Sequence, residues 1–150
     1  MGARFSQLNV PVLLFLEEEH NTTFFFADEF KKLAPHWEIV RVHDRLSAMR
    51  HLADKTETQA VVIDLTLLDE EGMELIRWVK GQPRFCSLPL IILSNSDEAS
   101  ARQRCIELGV SSYLEKPHSL RELKNTIRYV AKVCEGSRFH SQEWKEMSCV

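Results

Sequence analysis

Ala60-Val61-Val62-Ile63-Asp64-Leu65 is the stretch that most limits what this chain can fold into. Four apolar residues, three of them β-branched, run straight into a carboxylate. There is no polar alternation, so the run reads as a strand buried on both faces, as in a parallel sheet. Asp64 then stands where the strand leaves the core. In open α/β sheets ligands bind outside that end of the strands.

The same pattern recurs. Val12-Leu13-Leu14-Phe15-Leu16 ends in Glu17-Glu18-Glu19, Leu88-Pro89-Leu90-Ile91-Ile92-Leu93 ends in Ser94, and Ser112-Tyr113-Leu114 ends in Glu115-Lys116-Pro117. Parallel strands would gather these polar ends along one edge. Carboxylates crowded together repel one another and call for a cation. Hard oxygen donors suit Mg²⁺, and a carboxylate beside a metal and an ammonium group can act as a nucleophile toward phosphorus.

Between the strands, helical spacing predicts helices over 22–34 with Asn21 as N-cap, over 46–54, near 72–81, from Asn95-Ser96-Asp97 to Leu108, and from Ser119 to Cys134. The inward positions predicted are Phe26, Phe30 and Leu33, then Leu46, Met49 and Leu52, and finally Leu120, Leu123, Ile127 and Val130. Phe24 and Phe25 are read as extra core. Trp37 to Val42 alternates in part and reads as a half-exposed edge strand. Asp69-Glu70-Glu71 suits a helix N-terminus, Gly109 a helix C′ position, and Ser119-Leu120-Arg121-Glu122 a capping box. Gly136 is expected to end the last helix. The domain reading is a leader over 1–9, one domain over 10–136 and a polar tail over 137–150.

In this order, the residues resemble the receiver domain of two-component response regulators over roughly Val10 to Gly136. The family's acidic pair is matched by Glu17-Glu18, its phosphoacceptor by Asp64 with Gly72 following, its hydroxyl by Ser94, its lysine and proline by Lys116-Pro117, and its aromatic switch by Tyr113. The finer likeness is to small stand-alone regulators, including those that partner phytochrome-type kinases. The resemblance implies an α/β fold, a three-layer doubly wound sandwich on a five-stranded parallel sheet of order 2-1-3-4-5. It implies phosphoryl transfer to Asp64 from a sensor histidine kinase or phosphotransfer protein, not turnover of a substrate. Mg²⁺ would be held by Glu17, Glu18, Asp64 and the main-chain oxygen of Thr66. Lys116 and Ser94 would contact phosphoryl oxygens, Thr66 and Ser96 would tune dephosphorylation, and Ser94 with Tyr113 would form the switch. The output would be binding of a downstream protein, with Tyr113 turning inward on phosphorylation. A homodimer could form through the fourth helix, fifth strand and fifth helix, with Arg102, Glu107, Arg121 and Arg128 available for ion pairs.

Three positions depart from the family pattern: Glu for the usual Asp at Glu18, Leu68 where proline is common, and Asn95 where a very small residue is preferred. Glu18-Glu19 is an alternative register for the acidic pair. The alternative function is a phosphorylation-independent interaction module with a degenerate metal site. A flavodoxin-like binding protein is disfavoured, since no hydroxyl- or glycine-rich phosphate loop follows the first strand.

Other classes fall away. A net charge of −3 leaves no nucleic-acid footprint. There is no apolar run long enough to span a membrane, and the myristoylation-like start Met1-Gly2-Ala3-Arg4-Phe5-Ser6 is read as chance. Cys86, Cys105, Cys134 and Cys149 show no metal spacing and read as reduced, in keeping with a cytoplasmic protein. The six histidines form no ligand pair, and His20 and His118, candidates to border the proposed site, are read as surface histidines. Ser94 lacks the elbow of a hydrolase.

Overall fold

The computed structural model describes residues 10–17, 20–54, 57–65, 70–95 and 99–146, with the backbone alone at 20–25, 65, 70–71 and 137–146. Strands and helices alternate: β1 Val12–Glu17, α1 His20–Leu33, β2 Glu38–Val42, α2 Arg45–Asp54, β3 Thr58–Leu65, α3 Glu70–Gly81, β4 Leu90–Ser94, α4 Ala99–Glu107, β5 Ser112–Glu115 and α5 Leu120–Glu146. The strands form one parallel sheet of order β2-β1-β3-β4-β5. This is the doubly wound order that the resemblance implies.

Alternation along each strand divides the core in two. Leu13, Phe15, Ala60, Val62, Ile91 and Leu93 pack against Phe26 and Phe30 of α1 and Leu123, Ile127 and Val130 of α5. Leu14, Leu16, Val61, Ile63, Leu90, Ile92 and Tyr113 pack on the other face, against α2, α3 and α4 through Ala48, Leu52, Ile76, Val79 and Cys105. Central β1 and β4 are buried throughout, whereas β2 at the edge is half exposed.

Several expectations need correction. Leu33 is exposed, because the buried line of α1 runs through Phe26 and Phe30 and on to Ala34, the residue just after the helix. Leu46 is exposed as well: α2 buries Ala48 and Leu52, and a residue two positions before Ala48 lies well round the helix from that line. Leu120, the first residue of α5, is exposed, and packing begins a turn later at Leu123. Asn21 lies inside α1, which starts at His20. Helix α5 does not stop at Gly136 but runs on to Glu146. Gly136 has no positive φ, and nothing lies within 4 Å of where its Cβ would be, so helical backbone costs it only its lost entropy. Cys105 and Cys134 are free, and both are buried. Cys86 Sγ lies 3.5 Å from Pro83 O, and Cys149 lies outside the described residues. Phe24 and Phe25 lie outside the described side chains.

The helix ends follow their local chemistry. Asp44 accepts the Ser47 N–H at 2.7 Å and the Ser47 hydroxyl at 3.0 Å, capping α2. These bonds hold the Asp44 carboxyl below its ordinary pKa. Gly109, at φ 95°, closes α4. Its N–H bonds Ile106 O at 3.0 Å and the Val110 N–H bonds Cys105 O at 3.2 Å, a Schellman pair. At α5 the Ser119 hydroxyl accepts the Glu122 N–H at 3.1 Å, while Glu122 reaches back to the His118 N–H at 2.6 Å, one residue beyond the usual box. Glu135 ties this helix to the first half of the chain: the Trp37 indole N–H donates to it at 2.9 Å, and His36 Nε2 lies 2.6 Å away.

Candidate functional site

Strand register builds the site. Glu17 ends β1 opposite Asp64 on β3, Asp64 lies opposite Leu93 on β4, and Ser94 is opposite Glu115 on β5. Each polar residue arrives at the C-terminal edge because the apolar run before it fills the core. Asp64 is 2% exposed and Lys116 7%. Lys116 Nζ stands 2.6 Å from Asp64 Oδ1. The strand alone does not place that ammonium: the Lys116 N–H also bonds Ser94 O at 2.9 Å, anchoring the turn after β5 to the end of β4. Ser94 is fully buried. A small pocket lined by Phe15, Phe26, Leu93, Pro117 and Leu123 adjoins the Asp64–Lys116 pair. Its apolar walls keep that ion pair in low dielectric, where charges act strongly.

The structure therefore brings Asp64, Lys116, Ser94 and Glu17 to one edge. Glu18, Glu19, Thr66, Leu68 and Ser96 lie outside the described residues, so the predicted ligand set is described only at Glu17 and Asp64. Both are hard carboxylate donors standing side by side in register, a chemistry that fits a divalent cation. Among the described residues there is no cluster of three metal-ligating side chains.

Glu17 carries a feature that sequence reasoning missed. Its side chain is wholly buried and grips the Arg41 guanidinium, with Nε to Oε1 at 2.7 Å and Nη2 to Oε2 at 3.2 Å. His43 Nδ1 is 3.9 Å from Oε1. The bonds to Glu17 raise the Arg41 pKa further. The only trace of the pair in the sequence is a charged residue within an edge strand, and register supplies the rest. Arg41 interrupts the apolar part of β2, and its register partner Phe15 shares the Glu17 face of β1.

Tyr113 is 5% exposed, with the Arg102 guanidinium 5.2 Å from its ring centroid. The ring lies inward, and the Arg102 cation over its face favours this placement. Of the other residues named for a dimer face, Glu107 accepts from Gln103 and Arg128 donates to Asn125, both within their own helices. Ile106, Leu120 and Tyr129 expose apolar surface nearby. His118 is exposed, 3.2 Å from Glu115. Asn95 is exposed too.

Comparison with known proteins gives a consistent result. The family profile described as "Response regulator receiver domain" matches residues 14–128. The transcriptional regulatory protein GltR of Pseudomonas aeruginosa is 35% identical over 89 residues, covering 59% of this chain and 37% of GltR. The chain thus spans little more than a third of that relative's length. Among solved structures, the phosphorylated cyanobacterial phytochrome response regulator RcpA superposes with a TM-score of 0.74 at 20% identity, over 83% of this chain and 94% of that one. The Mn²⁺-bound form of response regulator Rcp1 gives 0.65 at 21% identity, over 80% and 91%. Among the described residues, no helix is long and apolar enough to cross a membrane.

Proposed function

This chain belongs to the response regulator receiver domain family, and from that premise we propose that Asp64 accepts a phosphoryl group from a phosphohistidine on a sensor kinase or phosphotransfer protein. An Asp64 oxygen attacks phosphorus, the O–P bond forms as the N–P bond breaks, and the imidazole nitrogen keeps the bonding electron pair. One observation carries the reading above the rest: a nearly buried carboxylate at the strand edge with an ammonium 2.6 Å from it. Phosphoryl transfer needs mainly position and charge neutralisation. Lys116 supplies a cation, Ser94 a hydroxyl for a phosphoryl oxygen, and the apolar pocket limits water. Receiver domains are signalling domains, and the output here is phosphorylation-dependent binding of a downstream protein, with Ser94 and Tyr113 as the switch.

Glu17, Glu18, Asp64 and the main-chain oxygen of Thr66 are the residues that would hold Mg²⁺. That ion, when bound, neutralises charge on the transferring oxygens. Thr66 and Ser96 tune the lifetime of the phosphoryl group. Asp64, Ser94 and Lys116 are all present, which disfavours a module without phosphate chemistry.

Incubation with a small acyl phosphate and Mg²⁺, read by intact mass, tests the proposal. The expected result is a gain of one phosphoryl group that is lost in Asp64→Asn. Wild-type protein that gains no phosphate from any donor and metal would overturn it.

A further inference from the structure

Glu17 is the one described carboxylate of the proposed metal site besides Asp64, and it is already neutralised. Both of its oxygens face one guanidinium, in the two-pronged geometry that makes arginine–carboxylate pairs strong. Its side chain is 0% exposed, so water contributes little to screening the pair from that side. Arg41 itself comes from the edge strand β2 and is 35% exposed on its side chain. It can therefore swing into solvent without breaking the core. Asp64 meets its own cation, Lys116, at 2.6 Å. A divalent ion entering between Glu17 and Asp64 would meet two positive groups, Arg41 beside Glu17 and Lys116 beside Asp64. Each Glu17 oxygen has a further lone pair, so the obstacle is chiefly charge against charge.

We infer that Arg41 is an internal counter-cation that competes with the divalent metal for Glu17, so that metal loading requires the Arg41–Glu17 pair to loosen. Arg41 is thus a specificity-determining residue for the metal site, acting through the availability of Glu17 and not by touching substrate. The inference rests on the phosphoacceptor reading given above and deepens it. It also couples the ion to the end of β2, an element that has no residue among the proposed ligands.

The test reads metal binding directly. Mn²⁺ is titrated into wild type, Arg41→Gln and Arg41→Lys, and free Mn²⁺ is followed by electron paramagnetic resonance. Losing a bidentate, partly exposed ion pair corresponds to an affinity gain on the order of tenfold for Arg41→Gln. Arg41→Lys, which keeps the charge but loses the fork, should fall between. Asp64→Asn should weaken binding in every background, which locates the ion. Equal or weaker binding by Arg41→Gln, with Asp64-dependent binding by wild type, overturns the inference and leaves the phosphoacceptor reading standing. No binding by any form, together with no phosphorylation, overturns both. Because Arg41→Gln strands a buried carboxylate, a second measurement uses the wild type alone. The Arg41 Nε–H resonance should shift or be lost on saturation with Mg²⁺; an unchanged resonance while backbone amides around Asp64 respond overturns the inference.

Discussion

At Asp64 and Lys116 two opposite charges share a space almost closed to water. Removing one partner of such a pair leaves the other charge desolvated, which typically costs about 3–5 kcal/mol. Lys116→Met should therefore destabilise the fold by roughly that amount in urea unfolding, and Asp64→Asn added to it should recover most of the loss, since both charges are then gone. A deficit that stays in the double variant would show that Lys116 acts by packing. Cys134 makes a second case. Burial, aided by the Glu135 charge, pushes its thiol up to about 12 from 9.0. The folded state then holds a proton that the unfolded state releases. Stability is fully present below about pH 9 and falls as pH rises toward 12, by at most about 1.4 kcal/mol per pH unit. Lys80, whose pKa burial lowers, tilts the other way below 10.5, so the informative quantity is a difference. Wild type should lose more stability than Cys134→Ala between pH 9 and 11; parallel curves would refute the assignment. Asp64, Ser94 and Lys116 were legible in the sequence because each terminates an apolar run. The Arg41–Glu17 pair was not, since it joins residues 24 apart on different strands, and only register brings them together.

For the elements, the strands were the easier part to read. Buried parallel strands are continuous apolar runs, and all five lie where such runs or their edge variant occur. Helix faces were less legible, because leucines at Leu33, Leu46 and Leu120 satisfy a loose helical spacing yet stand off the line of contact. Glycine was ambiguous for the same reason: it can end a helix or sit within one. The two cases separate experimentally. Gly109→Ala forces a side chain into φ 95° and should cost about 1 kcal/mol. Gly136→Ala meets no atom within 4 Å and should stabilise by about 0.5–1 kcal/mol. Thermal melts of the two variants should move in opposite directions; a destabilised Gly136→Ala would count against a helix continuous through that residue.

Across the whole molecule, Glu135 joins the last helix to the turn before β2, 98 residues away along the chain. Trp37 is 1% exposed, and its indole N–H donates to this carboxylate. Glu135→Ala should leave that donor without its acceptor and cost about 1–3 kcal/mol. Hydrogen exchange should quicken in α1 and α5 together, and exchange confined to α5 would show the link to be local. One last consequence follows from the division of the core into two faces. Tyr113 packs on the side of α2, α3 and α4, whereas Lys116 and Asp64 adjoin the pocket between α1 and α5. The sheet thus stands between the Tyr113 ring and the Asp64–Lys116 pair, and its two sides meet at the rim, where Ser94 and the turn after β5 are tied. Alternation along β5 turns Tyr113 to one side, and the turn after β5, bonded to Ser94 O, carries Lys116 to the other. Deleting one residue between Tyr113 and Lys116 would shift that turn and should draw the ammonium away from Asp64.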